Sequence, residues 1–196
     1  MKGFNSSRVN YQQGKLTNVD SAANCITVVN TAGEASQIQY DVLVIATGAS
    51  YLGPWRAADD AMPTLEERDA EAREYREKMK ASPSILCVGA GATGLEVACY
   101  MKEKWPDKKI GVCQRGKVMM PDIKGAHKLI EDYLKKLGVN YHSDTPFSPD
   151  SGVATEYASH IDCRGFKFNG PRAFLTDELA ECIDPKTGQI WVNEFL

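Results

Sequence analysis

No stretch of this sequence is long and apolar enough to cross a bilayer. Its longest apolar runs, such as Val42–Ala46 and Ile85–Val88, fall far short of the ~20 residues a spanning helix needs. Met1–Asn10 has no apolar core of the signal-peptide kind. Paired cysteines are missing too: Cys25, Cys87, Cys99, Cys113, Cys163 and Cys182 are scattered, with no CxxC among them. Three histidines, His127, His142 and His160, are too dispersed to argue for a metal site. Nor is there a surplus of positive charge. The net charge of −3 provides none of the broad positive field that nucleic acid or an anionic membrane favours. Together these absences argue against a membrane-spanning segment, a disulfide-stapled scaffold, a bound metal and a nucleic-acid partner. A reducing intracellular compartment, cytoplasmic or mitochondrial, is the setting they imply.

What is present is a chain of 196 residues, 43% hydrophobic, enough for one sizeable core and a piece of another. The first part reads as β-structure. Lys15–Val19, Cys25–Val29 and Gln37–Tyr40 are strand candidates, separated by the turn-forming segments Asp20–Asn24 and Asn30–Gly33. The continuous aliphatic run in Tyr40–Gly48 (YDVLVIATG) predicts a strand buried on both faces, as in a parallel sheet. Gly53-Pro54 then breaks the chain. From Thr64 to Lys80 the composition turns to strong helix formers, with Leu65, Ala72, Tyr75 and Met79 on one stripe and Glu74–Lys78 as an i,i+4 pair.

A regular alternation follows Pro83: strand Ile85–Val88, helix Ala92–Lys104, strand Lys109–Cys113, helix Ile123–Leu137, strand Val139–His142. Gly138 stands where a helix stop is expected. Connections this short imply parallel strands and right-handed crossovers, hence an α/β fold. Beyond Asp144 the pattern weakens to a strand over Tyr157–Phe166, a helix over Leu175–Cys182 and a strand over Gln189–Asn193.

Between the first strand and the first helix of this alternation lies Gly89-Ala90-Gly91-Ala92-Thr93-Gly94. A bare GxGxxG is a weak signal, but here it leaves an apolar strand, opens a helix and is followed by a second strand. In that setting Gly89 allows the tight exit, Gly91 lets a pyrophosphate approach the backbone, and Gly94 lets helix and sheet pack closely. The N–H groups of the helix start would meet the anion. The unit is therefore read as a site for NAD(H) or NADP(H). A carboxylate at the end of the second strand would mark NAD; the residue there is Gln114, followed by Arg115 and Lys117. These two cations are either ordinary surface charges or partners for a 2′-phosphate, so NAD versus NADP stays open. Glu96 reads as a first-turn acid complementing the helix dipole.

Three segments in order, YDVLVIATG at Tyr40–Gly48, GAGATGLE at Gly89–Glu96 and VNE at Val192–Glu194, resemble the FAD-dependent pyridine nucleotide–disulfide oxidoreductase superfamily. The likeness covers nearly the whole chain and is nearest to the apoptosis-inducing-factor-like and type II NADH dehydrogenase branch. It implies two Rossmann-like domains, one for FAD and one for NAD(P)H inserted into it, with hydride passing from nicotinamide to flavin and on to a small-molecule electron acceptor such as a quinone. By that resemblance, residues 1–56 belong to a partial FAD domain, 57–83 to a connecting helix, 84–170 to the NAD(P)H domain and 171–196 to a return segment. The NAD(P)H set would comprise Gly89, Ala90, Gly91, Ala92, Thr93, Gly94, Gln114, Arg115 and Gly165. Thr47 and Gly48 would face FAD in the intact protein, and Glu96 matches a family glutamate near the nicotinamide–flavin contact.

Departures from the family pattern accompany the match. No GxGxxG precedes Gly89, no Gly-Asp dipeptide occurs, and Arg164 stands where the family strand usually ends in Thr-Gly. Thr145–Glu156 is shorter than the β-meander usually found there. The expectation is a fragment: a Rossmann-like parallel sheet with flanking helices, plus strands of a truncated FAD domain, inactive alone and weak in holding FAD. The absence of CxxC argues against a thioredoxin-reductase-like member. A module that binds NAD(P)H without turnover is the alternative to an enzyme.

Overall fold

The computed structural model describes residues 9–51, 54–55, 63–168, 175 and 178–194. Gly53, the expected chain break, lies outside them. The chain divides into two compact units, one of residues 1–49 with 167–196, the other Ser50–Phe166.

The first unit holds a three-stranded antiparallel sheet of β1 (Lys15–Asp20), β2 (Cys25–Val29) and β3 (Ala35–Gln39), in that order. Both reversals are built as expected: the Asp20 side chain accepts from Ala23 N–H at 2.9 Å, and the Asn30 side chain from the N–H groups of Ala32 and Glu34 at 2.9 Å each. This pattern mimics a backbone turn. Val19, Leu175 and Ile183 form its small core.

Tyr40–Gly48 bends at Asp41–Val42 and is not a strand of any sheet among the described residues. Leu43 and Ile45 pack against the Val19 core, while Val42 and Val44 are each 81% exposed. The expectation of two buried faces fails for a plain reason. A strand buried on both sides needs neighbouring strands that cover both surfaces, and among the described residues no sheet includes this segment. The strand expected at Gln189–Asn193 reduces to a single bridge between Ile183 and Ile190. The helix near it is one turn, α5 (Glu178–Glu181). β4 (Ala49–Tyr51) and β9 (Phe166–Phe168) form a separate two-stranded pair.

The second unit begins with α1 (Leu65–Ala81), started by a capping box in which Thr64 and Glu67 satisfy each other's backbone N–H groups. Only its C-terminal half docks. Met79 is buried and Tyr75 half-buried, whereas Leu65 and Ala72 face solvent. Its surface ion pairs are Arg68–Glu71, Asp69–Arg73 and Glu77–Lys80 rather than Glu74–Lys78. Lys108 closes the helix end by donating to the carbonyls of Met79 at 3.0 Å and Ser82 at 2.6 Å, a favourable place for a cation.

β5 (Ser84–Val88), β6 (Lys109–Cys113), β7 (Asn140–His142) and β8 (Ser159–Asp162) then form one parallel sheet in the order β7-β6-β5-β8. α2 (Ala92–Lys104), α3 (Ala126–Leu137) and the single turn α4 (Gly152–Thr155) make up the connections. This is the α/β architecture that the alternation predicts. Ile85, Leu86, Cys87 and Val88 are at most 2% exposed because both sheet faces are covered. Ile85 and Cys87 join the α2–α3 core, while Leu86 and Val88 join the opposite one with Val153 and Tyr157. Each such aliphatic side chain contributes about 1.5–3 kcal/mol. α3 ends at Gly138, whose φ of 80° carries the chain through the left-handed region.

Two glycines hold this sheet together by having no side chain. A Cβ on Gly111 would lie 2.2 Å from the Tyr157 hydroxyl, which reaches over the sheet to His142 Nε2 at 2.9 Å. A Cβ on Gly94 would lie 1.8 Å from the Gly89 carbonyl oxygen. Gly94→Ala is therefore expected to force α2 away from the β5 turn and lower stability by about 1–3 kcal/mol or more. Chemical denaturation checks this, and a variant as stable as the parent would show that the turn opens freely.

Candidate functional site

β5 feeds β6 on one side, while β8 pairs with it on the other, so the carboxyl end of β5 is where the strand order reverses. Crevices of this kind are the usual ligand sites of open parallel sheets. Gly89 leaves β5 with φ 109°, and a Cβ there would press within 3.1 Å of the Cys163 backbone. Its N–H donates to Cys113 O at 2.8 Å, tying the turn to β6. Gly91 forms the N-cap of α2 with no side-chain cap. A Cβ on it would meet nothing within 4 Å. The first turn of α2 carries no acid. The positive end of the helix and its N–H groups thus face open space rather than a side chain.

Against this turn lies a cleft of about 500 Å³, lined by Val88, Gly89, Cys113 and Gln114 from the strand ends, with Arg115, Thr145–Phe147 and Arg164 around them. Gln114 is held in place, its N–H donating to His142 O at 3.1 Å and its side chain to Gly116 O at 3.0 Å. Arg115 is exposed and forms no ion pair among the described residues, whereas Lys117 pairs with Asp144 at 3.7 Å. Of the two cations after β6, only Arg115 reaches the cleft.

The other expected site residues fall in several places. Ala90 is buried in the core beneath the turn, and Ala92 and Thr93 are exposed on the first turn of α2. Gly165, with φ 52°, follows Arg164 at the end of β8. Glu96 is exposed, but it is the fifth residue of α2 and not a first-turn acid. Thr47 and Gly48 belong to the first unit, Gly48 with φ 71°.

Thr145, Pro146 and Phe147 were not legible as site residues, because they lie in a stretch without periodicity. Arg164 signalled itself only as a departure from a family pattern. Its Nη2 donates to Asp162 Oδ2 at 2.6 Å and its Nε to Oδ1 at 3.0 Å. Burial alone would raise the Asp162 pKa, but the hydrogen bonds and charge of Arg164 outweigh it and hold the carboxyl below its ordinary range. Beneath the turn, the hydrogen-bonded Cys163 sulfur and then burial hold the Cys87 thiol well above its ordinary range. Both cysteines are buried and free, as are Cys25 and Cys113, in keeping with small core residues. Each histidine has a structural partner: His127 accepts from Met119 N–H at 3.2 Å, His142 meets Tyr157 and His160 meets Ala154 O at 2.9 Å.

A family model described as pyridine nucleotide-disulphide oxidoreductase matches residues 2–164. The chain belongs to this family. Among curated relatives, the ferroptosis suppressor protein 1 of Taeniopygia guttata is 26% identical over 95% of this chain and 52% of its own length. An NADH oxidase of Methanocaldococcus jannaschii is 28% identical over 75% of this chain and 34% of its own. Among solved structures, an NAD-dependent persulfide reductase from A. fulgidus superposes with a TM-score of 0.67 at 24% identity. It matches 92% of this chain and 35% of that one. The fold is also shared with a pyridine nucleotide-disulfide family oxidoreductase from Enterococcus faecalis, which superposes with a TM-score of 0.62 at 18% identity over 93% of this chain and 44% of that one. The chain spans about a third to a half of the length of these curated relatives.

The open space at Gly91 gives a prediction separate from that for Gly94. Gly91 has a φ of −79°, which alanine adopts freely, but alanine caps a helix less well than glycine, so Gly91→Ala is expected to lower stability by only about 0.5–1 kcal/mol. Its methyl would nevertheless stand where an anion must approach the helix start. Calorimetric titration should show weakened binding of NADH and NADPH, with a melting temperature lowered by only a few degrees. Unchanged affinity would remove the glycine turn from the site.

Proposed function

We propose that this chain is the NAD(P)H-binding part of an FAD-dependent oxidoreductase, in which hydride passes from nicotinamide to flavin and then to an acceptor such as a quinone. The observation that carries the reading is the glycine turn. Gly94 lets α2 press on β5, and Gly91 leaves its uncapped N–H groups facing empty space. Family membership supplies the reaction class, and a relative named NADH oxidase agrees with it.

In this reading the backbone of Gly89–Gly94 binds the pyrophosphate, with Ala92 and Thr93 offering N–H groups and Ala90 anchoring the turn from below. Gln114 and Arg115 face the adenosine ribose, and Gly165 leaves room beyond β8. Glu96 would stand near the nicotinamide–flavin contact, and Thr47 and Gly48 would face FAD in the whole protein. Residues 1–56 and 171–196 are assigned to the FAD side, 57–83 to the connection and 84–170 to the NAD(P)H domain. Nicotinamide and flavin supply the redox chemistry when bound; the protein's part is orientation and electrostatics. The free thiols of Cys25, Cys87, Cys99, Cys113 and Cys163 fit a reducing compartment, cytoplasmic or mitochondrial.

Cofactor choice rests on Arg115. A neutral Gln114 neither repels a 2′-phosphate nor accepts the ribose hydroxyls as a carboxylate would, and Arg115, with no ion-pair partner among the described residues, lines the same cleft. Arg115→Ala is expected to weaken NADPH about tenfold to hundredfold while sparing NADH. Its exposure pushes the effect to the low end. Titration of both cofactors at two salt concentrations checks this. NADPH alone should weaken, and more at low salt; equal effects on both, or none, would make Arg115 a surface cation and remove the NADP preference.

A further inference from the structure

Arg115 and Arg164 flank the glycine turn from opposite sides, one following β6 and the other following β8, with β5 between them. They are held very differently. Arg115 is exposed and has no ion-pair partner among the described residues, whereas Arg164 is fixed from three directions. Its backbone N–H donates to Asp162 Oδ1 at 3.0 Å. Its Nε and Nη2 fork onto both oxygens of the same carboxylate. Its guanidinium carbon lies 5.7 Å from the centre of the Phe147 ring, a cation–π distance. Phe147 is in turn fixed edge-on to His160, with ring centres 5.1 Å apart. The Asp162 carbonyl accepts from Trp55 Nε1 at 2.9 Å, which steadies the strand end beneath the pair.

This anchoring uses only one edge of the guanidinium. Arg carries five N–H donors on a planar fork. Asp162 takes the Nε–Nη2 edge and leaves the Nη1–Nη2 edge without a protein acceptor among the described residues. Arg164 lines the cleft and Asp162 does not, so the ion pair turns its positive end towards the cleft. The residue is also adjacent to the turn itself: a Cβ on Gly89 would lie 3.2 Å from the Arg164 backbone nitrogen. Two parallel donors on a preorganised plane match the spacing of phosphate oxygens. A guanidinium already immobilised loses little further side-chain freedom on binding.

We propose that Arg164 binds the pyrophosphate of the dinucleotide through its free guanidinium edge, with Asp162 and Phe147 as positioning residues. The proposal rests on the dinucleotide reading of the cleft and adds to it a phosphate contact supplied from β8. It assigns the two arginines different tasks. Arg115 reads a group that only NADPH carries, while Arg164 reads one common to NADH, NADPH and ADP-ribose.

The test is calorimetric titration of NADH, NADPH and ADP-ribose against the full chain and its Arg164→Ala and Arg164→Lys variants, with melting temperatures recorded for each. Arg164→Ala is expected to weaken all three ligands by a similar factor, about tenfold. The loss should be larger at low salt because Arg164 is partly exposed. Arg164→Lys keeps the charge and one bond to Asp162 but not the fork, so it should lie between parent and alanine variant. If the alanine variant melts early, the lysine variant decides: a similar loss for all three ligands supports the contact, and parental affinity refutes it. Unchanged affinity in a folded alanine variant overturns the proposal while leaving the glycine turn intact. Loss for NADPH alone places Arg164 on the 2′-phosphate and overturns the pyrophosphate assignment. If the parent chain binds none of the three, the dinucleotide reading fails and the Arg164 proposal falls with it.

Discussion

The Gly89 carbonyl occupies the space that a side chain on residue 94 would require, and most of the second unit's geometry follows from that contact. Because position 94 has no Cβ, the first turn of α2 lies directly on the exit from β5 and over Cys163. With the helix this close, Leu95 and Ala98 reach the core shared with Ile85 and Cys87. The same closeness fixes the direction of the helix start. Its first N–H groups have no capping side chain and no acid beside them, so the positive pole of α2 is left available at the end of the sheet.

The cleft beside Gly89 owes its lining to the polarity of the sheet. All four strands run parallel, so their carboxyl ends, and the loops that follow them, gather on one edge. Neutral groups and cations from three loops meet there: Gln114 and Arg115 after β6, Thr145–Phe147 after β7 and Arg164 after β8. Charge is arranged with some economy. Lys117 and Lys109 pair with Asp144 and Glu156 and do not line the cleft, whereas Arg115 and Arg164 do. Tyr157 braces the same sheet from its other face, lying over Gly111 and bonding to His142 and Asn140. The registers of β6 and β7 are thus fixed by a hydroxyl whose place depends on another missing side chain.

Much of this was legible in the sequence where local signals agreed with the fold. α2, β6 and β2 begin and end at the residues that periodicity and turn chemistry indicate, and Gly138 stops α3 as its position implies. The three glycines of the turn could be assigned separate tasks because each task is steric. Legibility failed where a residue's environment is set by distant chain. The Tyr40–Gly48 run reads as fully buried, but its sequence carries no information on whether neighbours cover both faces; Val42 and Val44 remain exposed. The stripe on α1 was sound as a pattern, yet only Tyr75 and Met79 find a surface to meet. Phe147 gave no signal at all, since its role comes from the loop that sets it between His160 and Arg164.

The central claim is that a dinucleotide pyrophosphate docks on the start of α2. Amide-resolved NMR during titration of the isotopically labelled chain with ADP-ribose tests it most directly, because the N–H groups in question report on themselves. The account predicts that the largest shifts fall on Gly89–Leu95, with smaller ones on Gln114–Arg115 and Arg164–Gly165, all saturating together. Saturating shifts that leave Gly91, Ala92 and Thr93 unmoved would contradict it, whatever else the ligand touches.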